Sequence, residues 1–337
     1  MARSSLHRKR LAAVLLSTLI SLGVAEIAIR FIAPQSRDHA IPGGLFAVGG
    51  ELGWQLEPGR EVRHRSQYFE ATYRTNVLGM RDRAWPDAGP QNSSRVVFYG
   101  DSLVFGWGLD ATERFSDQLD QMDHLDVWNR GVPGYGLDQQ LLAFEADAPM
   151  LSADRIVLQL SMPSVRRMEV DYIFQKYKPQ FVLAADGGLS RVPIPQLKDL
   201  AVRTLYGAIS PFYLPYFVER RLAMLLGERR SFDRIDQAGP EGIAAYQRLE
   251  PLIRSILLRG SEAAHRNGAE LTIFSDLPDG VTAATRRFAK ENGIGFIAVS
   301  LTQPHPIDQL TFGVEDRHWN AVANRYVFEA LRQGLPR

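Results

Sequence analysis

Ser102 follows an apolar run that stops at Gly100 in RVVFYGDSLVFGWG (residues 95–108), and Asp101 stands immediately before it. A serine hydroxyl attacks a carbonyl only with a base beside it, and that base is usually oriented by a third group. Taken alone, Ser102 reads equally well as the cap of a following helix. The chain has seven histidines. His7 precedes an apolar N-terminal stretch, His39 and His64 lie in an irregular region, and His124 and His265 fall beside a strand entry and a helix end. His305 sits between prolines in TQPHPID, while His318 lies in GVEDRHWN, ahead of a final amphipathic helix. Two acids stand just upstream of His318: Glu315 and Asp316. An acid in the same loop can hold one ring nitrogen and leave the other for a serine.

These residues need elements to bring them together. Short β-rich runs occur at 95–100, 125–131, 155–161, 270–276 and 295–300, with helical patterns between several of them. Phe115, Leu119 and Met122 fall at helical spacing, with Thr112 as the expected N-cap. A last helix is expected from about Asn320 to Leu335. Strands alternating with helices predict a mostly parallel five-stranded sheet covered on both faces. In such sheets ligands bind beyond the carboxyl ends of the strands, where Ser102, Gly131 to Gly134, Ser161 to Ser164 and Asp276 all fall. Between 165 and 240 the alternation breaks, and a proline- and aromatic-rich insertion is expected.

The N-terminus carries Arg3, Arg8, Lys9 and Arg10 before LAAVLLSTLISLGVAEIAIRFIAP. Residues 11–33 are expected to span a membrane, with 1–10 as a basic cytoplasmic tail. Glu26 and Arg30, one turn apart, can neutralise each other. A signal peptide cleaved near Gly23-Val24-Ala25 is the alternative. Residues 34–94 read as short strands and turns, and 95–337 as the main domain.

The net charge of +1 offers no field for nucleic acid, so no nucleic-acid partner is expected. The absence of cysteine removes disulfides and thiolate metal sites. No histidine–carboxylate spacing argues for zinc, and no cofactor or metal is expected. Asn76 and Arg81 in YRTNVLGMRD are expected to brace the N-terminal segment.

GDSLVFGWG resembles the first block of the SGNH, or GDSL, hydrolases. VWNRGVPGYG resembles their second block, and EDRHWN followed by a helix their closing block. The anchored bacterial members of that family are similar in EIAIR, LGW and TNVLGMRD. The resemblance implies a three-layer, flavodoxin-like α/β sandwich after one transmembrane helix. It implies Ser102 as nucleophile and oxyanion donor, Gly134 as a second donor, His318 as base and Asp316 as its orienting acid, with Glu315 as the alternative. Asp101 would be structural. The family's third block ends in an asparagine that donates to the oxyanion, and here Pro163 occupies that place. Proline has no N–H to give. Ser161, Ser164 or Arg166 would then have to substitute.

The resemblance therefore implies an extracytoplasmic, inner-membrane esterase removing an O-acyl group, expected to be acetyl, from an envelope carbohydrate or lipid. An O-acyltransferase and a non-catalytic glycan-binding protein are the alternatives.

Overall fold

The computed structural model describes residues 2–32, 42–84, 93–174, 176–194, 214, 217–218, 240–301, 307–313 and 316–335. The chain divides into two compact units, Met1–Arg37 with Gln196–Asp233, and Asp38–Pro195 with Arg234–Arg337.

In the first unit a single helix, α1 (Ala2–Ile32), includes the basic tail as well as the apolar stretch. Lysine and arginine are good helix formers and no breaker separates them from Leu11, so the helix starts earlier than the expected span. His7–Ile32 is long and apolar enough to cross a membrane. Arg30 pairs with Glu26 at 3.0 Å, and Glu26 also accepts from the backbone N–H of Leu214 at 2.8 Å.

The second unit opens with two antiparallel hairpins. β1 (Phe46–Val48) pairs with β2 (Trp54–Leu56), and β3 (Glu61–Arg65) with β4 (Glu70–Arg74). The central sheet follows, made of β5 (Ser94–Gly100), β6 (Leu125–Gly131), β7 (Arg155–Leu160), and two later strands. Between β5 and β6 lie α2 (Ser102–Phe105) and α3 (Phe115–Asp120), and α4 (Leu137–Leu151) joins β6 to β7. After β7 come α5 (Met162–Arg166) and two small hairpins. These are β8 (Tyr172–Ile173) with β9 (Lys176–Tyr177), and β10 (Gln180–Leu183) with β11 (Leu189–Val192). Residues 165–194 of the expected insertion thus share a unit with the sheet. The long α6 (Pro240–Arg266) leads to β12 (Glu270–Ser275), α7 (Asp279–Glu291), β13 (Gly295–Ala298), α8 (Ile307–Leu310) and α9 (Ala321–Gly334).

The five strands stand in the order β13-β12-β7-β5-β6, and every pairing is parallel. Renumbered within the sheet, that is the flavodoxin-like order 2-1-3-4-5, whose switch point lies between its first and third strands. β5 and β7 flank that point. Alternation along β5 sends Val96 and Phe98 into a core with Phe115, Leu119, Phe274, Trp319 and Val327. Tyr99 points to the opposite layer, where it packs on Phe144 of α4 and donates to Asp147 at 3.2 Å. α3 and α9 thus cover one face of the sheet, and α4, α6 and α7 the other.

One helix differs from its sequence pattern. Thr112 does not cap a helix but lies inside a 3₁₀ turn, Ala111–Glu113. Glu113 accepts from the Asp110 N–H at 3.0 Å, and the extended backbone of Arg114 separates that turn from α3.

Candidate active site

The turn after β5 is built for close approach. A Cβ on Gly100 would lie 2.1 Å from the Val104 side chain, so only glycine lets α2 fold back over the strand end. Asp101 then caps α2, its Oδ1 accepting from the Leu103 N–H at 2.9 Å. Its other oxygen accepts from Arg167 Nη1 at 2.6 Å, and its own N–H donates to Gln159 Oε1 at 2.9 Å. Asp101 is therefore committed on every side and holds the turn.

Ser102 begins α2 at the switch point, 5% exposed. Its Oγ lies 2.9 Å from Nε2 of His318, across 216 residues of sequence. His318 Nδ1 lies 2.6 Å from Asp316 Oδ1, and that oxygen also accepts the His318 backbone N–H at 3.1 Å. A carboxylate only accepts, so the short contact assigns the ring proton to Nδ1 and frees Nε2 to take the serine proton. Asp316 is fully buried, whereas the His318 side chain keeps 26% of its surface exposed.

The loop carrying His318 is itself fixed. Phe312 N–H donates to His318 O at 3.2 Å, Gly313 N–H donates to Asp316 O at 3.0 Å, and Thr311 bridges to Trp319. Trp319 is anchored in the core, and Asn320 caps α9 through the N–H groups of Val322 and Ala323 at 3.0 and 3.1 Å. Trp107 closes the other side of the imidazole, its ring stacked on His318 with centroids 5.5 Å apart and planes at 30°.

The second block forms the turn Val132–Tyr135, closed by the Tyr135 N–H donating to Val132 O at 3.2 Å. Proline then glycine at its centre, with Gly134 at φ 88°, fits a type II turn. A Cβ on Gly134 would press on Phe174 at 3.1 Å and Trp54 at 3.2 Å, so the glycine also admits these rings. Trp54 Nε1 donates to Pro133 O at 3.0 Å, which pins the turn from the β1–β2 hairpin.

The substitutes considered for the missing third-block asparagine have other employment. Ser161 and Ser164 are fully buried and cap α5 reciprocally. Ser161 Oγ accepts from the Ser164 N–H at 3.2 Å, while Ser164 Oγ accepts from the Ser161 N–H at 3.1 Å and donates to Ser161 O at 2.9 Å. Pro163 suits this position because the first turn of a helix needs no N–H. Arg166 lies at the end of α5, 3.8 Å from Glu169. Neither serine's hydroxyl bonds the Ser102–His318–Asp316 group. Glu315 and His305 lie outside the described residues.

Sequence reading missed Arg167 and Trp107. A second arginine in MPSVRR was the only sign of Arg167; that it meets Asp101, 66 residues away, is visible only in three dimensions. Asp276 stands at the end of β12 with its Oδ1 buried and without a hydrogen-bond partner. Burial first, and then the nearby Asp101 charge, push its carboxyl up to about 7. Among the described residues no cluster of histidines and acids could hold a metal ion.

No protein-family profile matches this chain. No curated protein matches it either. Among solved structures it is similar to a catalytic mutant of an acetylxylan esterase from Geobacillus stearothermophilus, at 11% identity and a TM-score of 0.40, over 73% of this chain and 95% of that one. It is also similar to a member of the lipolytic G-D-S-L family from Veillonella parvula, at 14% identity and a TM-score of 0.39, over 72% of this chain and 97% of that one.

Proposed function

We propose that this protein is an SGNH-type serine esterase that removes an O-acyl group, acetyl above all, from an envelope carbohydrate. The observation that carries the reading is the Ser102–His318–Asp316 arrangement at the switch point of the sheet. His318 Nε2 takes the proton as Ser102 Oγ bonds to the ester carbonyl carbon. The same proton passes to the leaving sugar oxygen as the tetrahedral species collapses to acyl-Ser102. Water then repeats the sequence, its proton going to His318 and on to Ser102, and releases the carboxylic acid. Asp316 stabilises the imidazolium formed at each step without taking a proton. The N–H of Ser102, which the first turn of α2 leaves without an intrahelical acceptor, and that of Gly134 are the oxyanion donors.

α1 serves as a single membrane anchor, its basic end cytoplasmic and the second unit outside. The full-length chain should stay in the membrane fraction through alkaline carbonate washing.

A second reading has one observation in its favour. Pro163 replaces a donor, and losing one typically costs about 100- to 1000-fold in rate. On that reading the site binds acylated glycan without turning it over. A fluorophosphonate that labels active serines tests between the two. Labelling of wild type but not of Ser102→Ala supports the esterase; equal failure of both sinks it.

A further inference from the structure

The β8–β9 hairpin carries two lysines in very different surroundings. Lys178 is fully buried and paired with the equally buried Asp138 of α4. Lys176, two residues earlier, has no carboxylate within ion-pair distance among the described residues. Its Nζ donates to the backbone oxygen of Phe174 at 3.1 Å and lies 5.3 Å from the ring centre of Phe46 and 5.5 Å from that of Trp54. Burial alone pulls its ammonium down to about 8, with no charged neighbour among the described residues to support it. Aromatic faces attract a cation, but they do not replace a counter-ion.

The position of this lysine is well fixed. A Cβ on Gly53 would lie 2.2 Å from the carbonyl of Tyr177, so β9 runs against the β1–β2 turn at backbone contact. The same hairpin lays the Phe174 ring over Gly134, the proposed oxyanion donor. Phe174 itself has φ 49°, a left-handed backbone that is strained for a bulky residue, and its side is 42% exposed. Strain of this kind collects at functional sites. One hairpin thus brings an open aromatic ring to the turn that carries Gly134 and, over the Trp54 ring beside it, an ammonium with no carboxylate partner among the described residues.

We propose that Lys176 binds a carboxylate of the substrate, so that the glycan is acidic, a uronate-containing polysaccharide, with Phe174 beneath a sugar ring. The assignment rests on the esterase reading for the place of the ester, because the anion would be held on the hairpin whose Phe174 ring covers Gly134. It is independent of that reading for binding. A flat aromatic face next to a lone cation matches a ring that carries a carboxylate.

The test compares binding of oligouronates and of neutral oligosaccharides of the same length to full-length protein in detergent, by calorimetry. Wild type and Ser102→Ala should bind the oligouronate at least about 10-fold more tightly than the neutral chain, with a preference that shrinks as salt rises. K176M should lose that preference, and K176R should keep most of it. Thermal midpoints of all variants establish that they are folded. Equal affinity of the wild type for both glycans overturns the proposal, as does a preference that survives in folded K176M. Binding of anionic phospholipid micelles in place of oligouronate, abolished by K176M, overturns the glycan assignment. Serine labelling that fails while the uronate preference holds would count against the esterase and leave this site standing.

Discussion

Trp107 joins Ser102 to His318: its backbone N–H donates to the backbone oxygen of Ser102 at 3.0 Å, and its indole ring lies against the imidazole of His318. The imidazole is held between this ring and the Asp316 carboxylate. His64 packs on the far side, its ring 4.6 Å from Trp107, and bonds Tyr73 at 2.9 Å. Trp107→Leu should therefore lower kcat on an aryl acetate by about 10-fold while leaving KM within about twofold, since an unsupported imidazole samples unproductive rotamers. Trp107→Phe, which keeps a flat face, should recover most of the rate. Steady-state kinetics checks both.

Asp316→Asn keeps the shape of the loop but changes what His318 can do. An amide presents N–H as readily as oxygen to Nδ1, so the tautomer with its proton on Nε2 becomes favourable. The expected loss in kcat is on the order of 10⁴-fold, as in other triads of this design. The thermal midpoint should move far less than that loss suggests.

The Asp101–Arg167 pair is a matter of stability. The Asp101 side chain is 1% exposed and Arg167 12%. Arg167→Met leaves a buried carboxylate without its cation, and unfolding in urea should show a loss of about 3 to 5 kcal/mol. Activity should fall as well, because Asp101 caps the helix that begins at Ser102.

Asp276 makes a prediction about pH. Its folded-state carboxyl sits near 7, above the ordinary 3.8, so the native state holds a proton that the unfolded chain releases earlier. That contribution is complete below about pH 4 and is lost as pH rises through about 7. Asp276→Asn removes the dependence. Its stability relative to wild type should increase between pH 4 and 7 by roughly 1 to 3 kcal/mol and level off above that. Asp82, pushed up to about 6 by burial, slopes the same way in both proteins and cancels in the comparison.

Much of this was written in local patterns. The five apolar runs became the five sheet strands because buried parallel strands are nearly continuous hydrophobic stretches, and β6 is buried at every position. Ser102, Gly134, Asp316 and His318 stood out as candidates because each lies at a turn whose neighbours are constrained: glycines, a helix cap, an adjacent acid. Arg167 and Lys176 were not. An arginine that neutralises Asp101 and a lysine with no carboxylate beside it among the described residues look identical in sequence, since what separates them is a contact distant along the chain. The division of the chain, with 196–233 grouped with the N-terminal helix, was equally invisible to periodicity.

Arg81 lies outside the sheet, yet its guanidinium donates to the backbone oxygens of Phe105, Gly106 and Leu109 at 2.9, 2.7 and 2.5 Å. Those three carbonyls belong to the segment leaving Ser102. Trp54 likewise grips the turn of Gly134. On the esterase reading, the smallest autonomous unit therefore does not start at β5, where the α/β pattern begins. A fragment cut there would keep its five strands and lose the clamps that set both loops, so the hairpins of residues 42–84 belong with the sheet in any truncation that is to preserve the site.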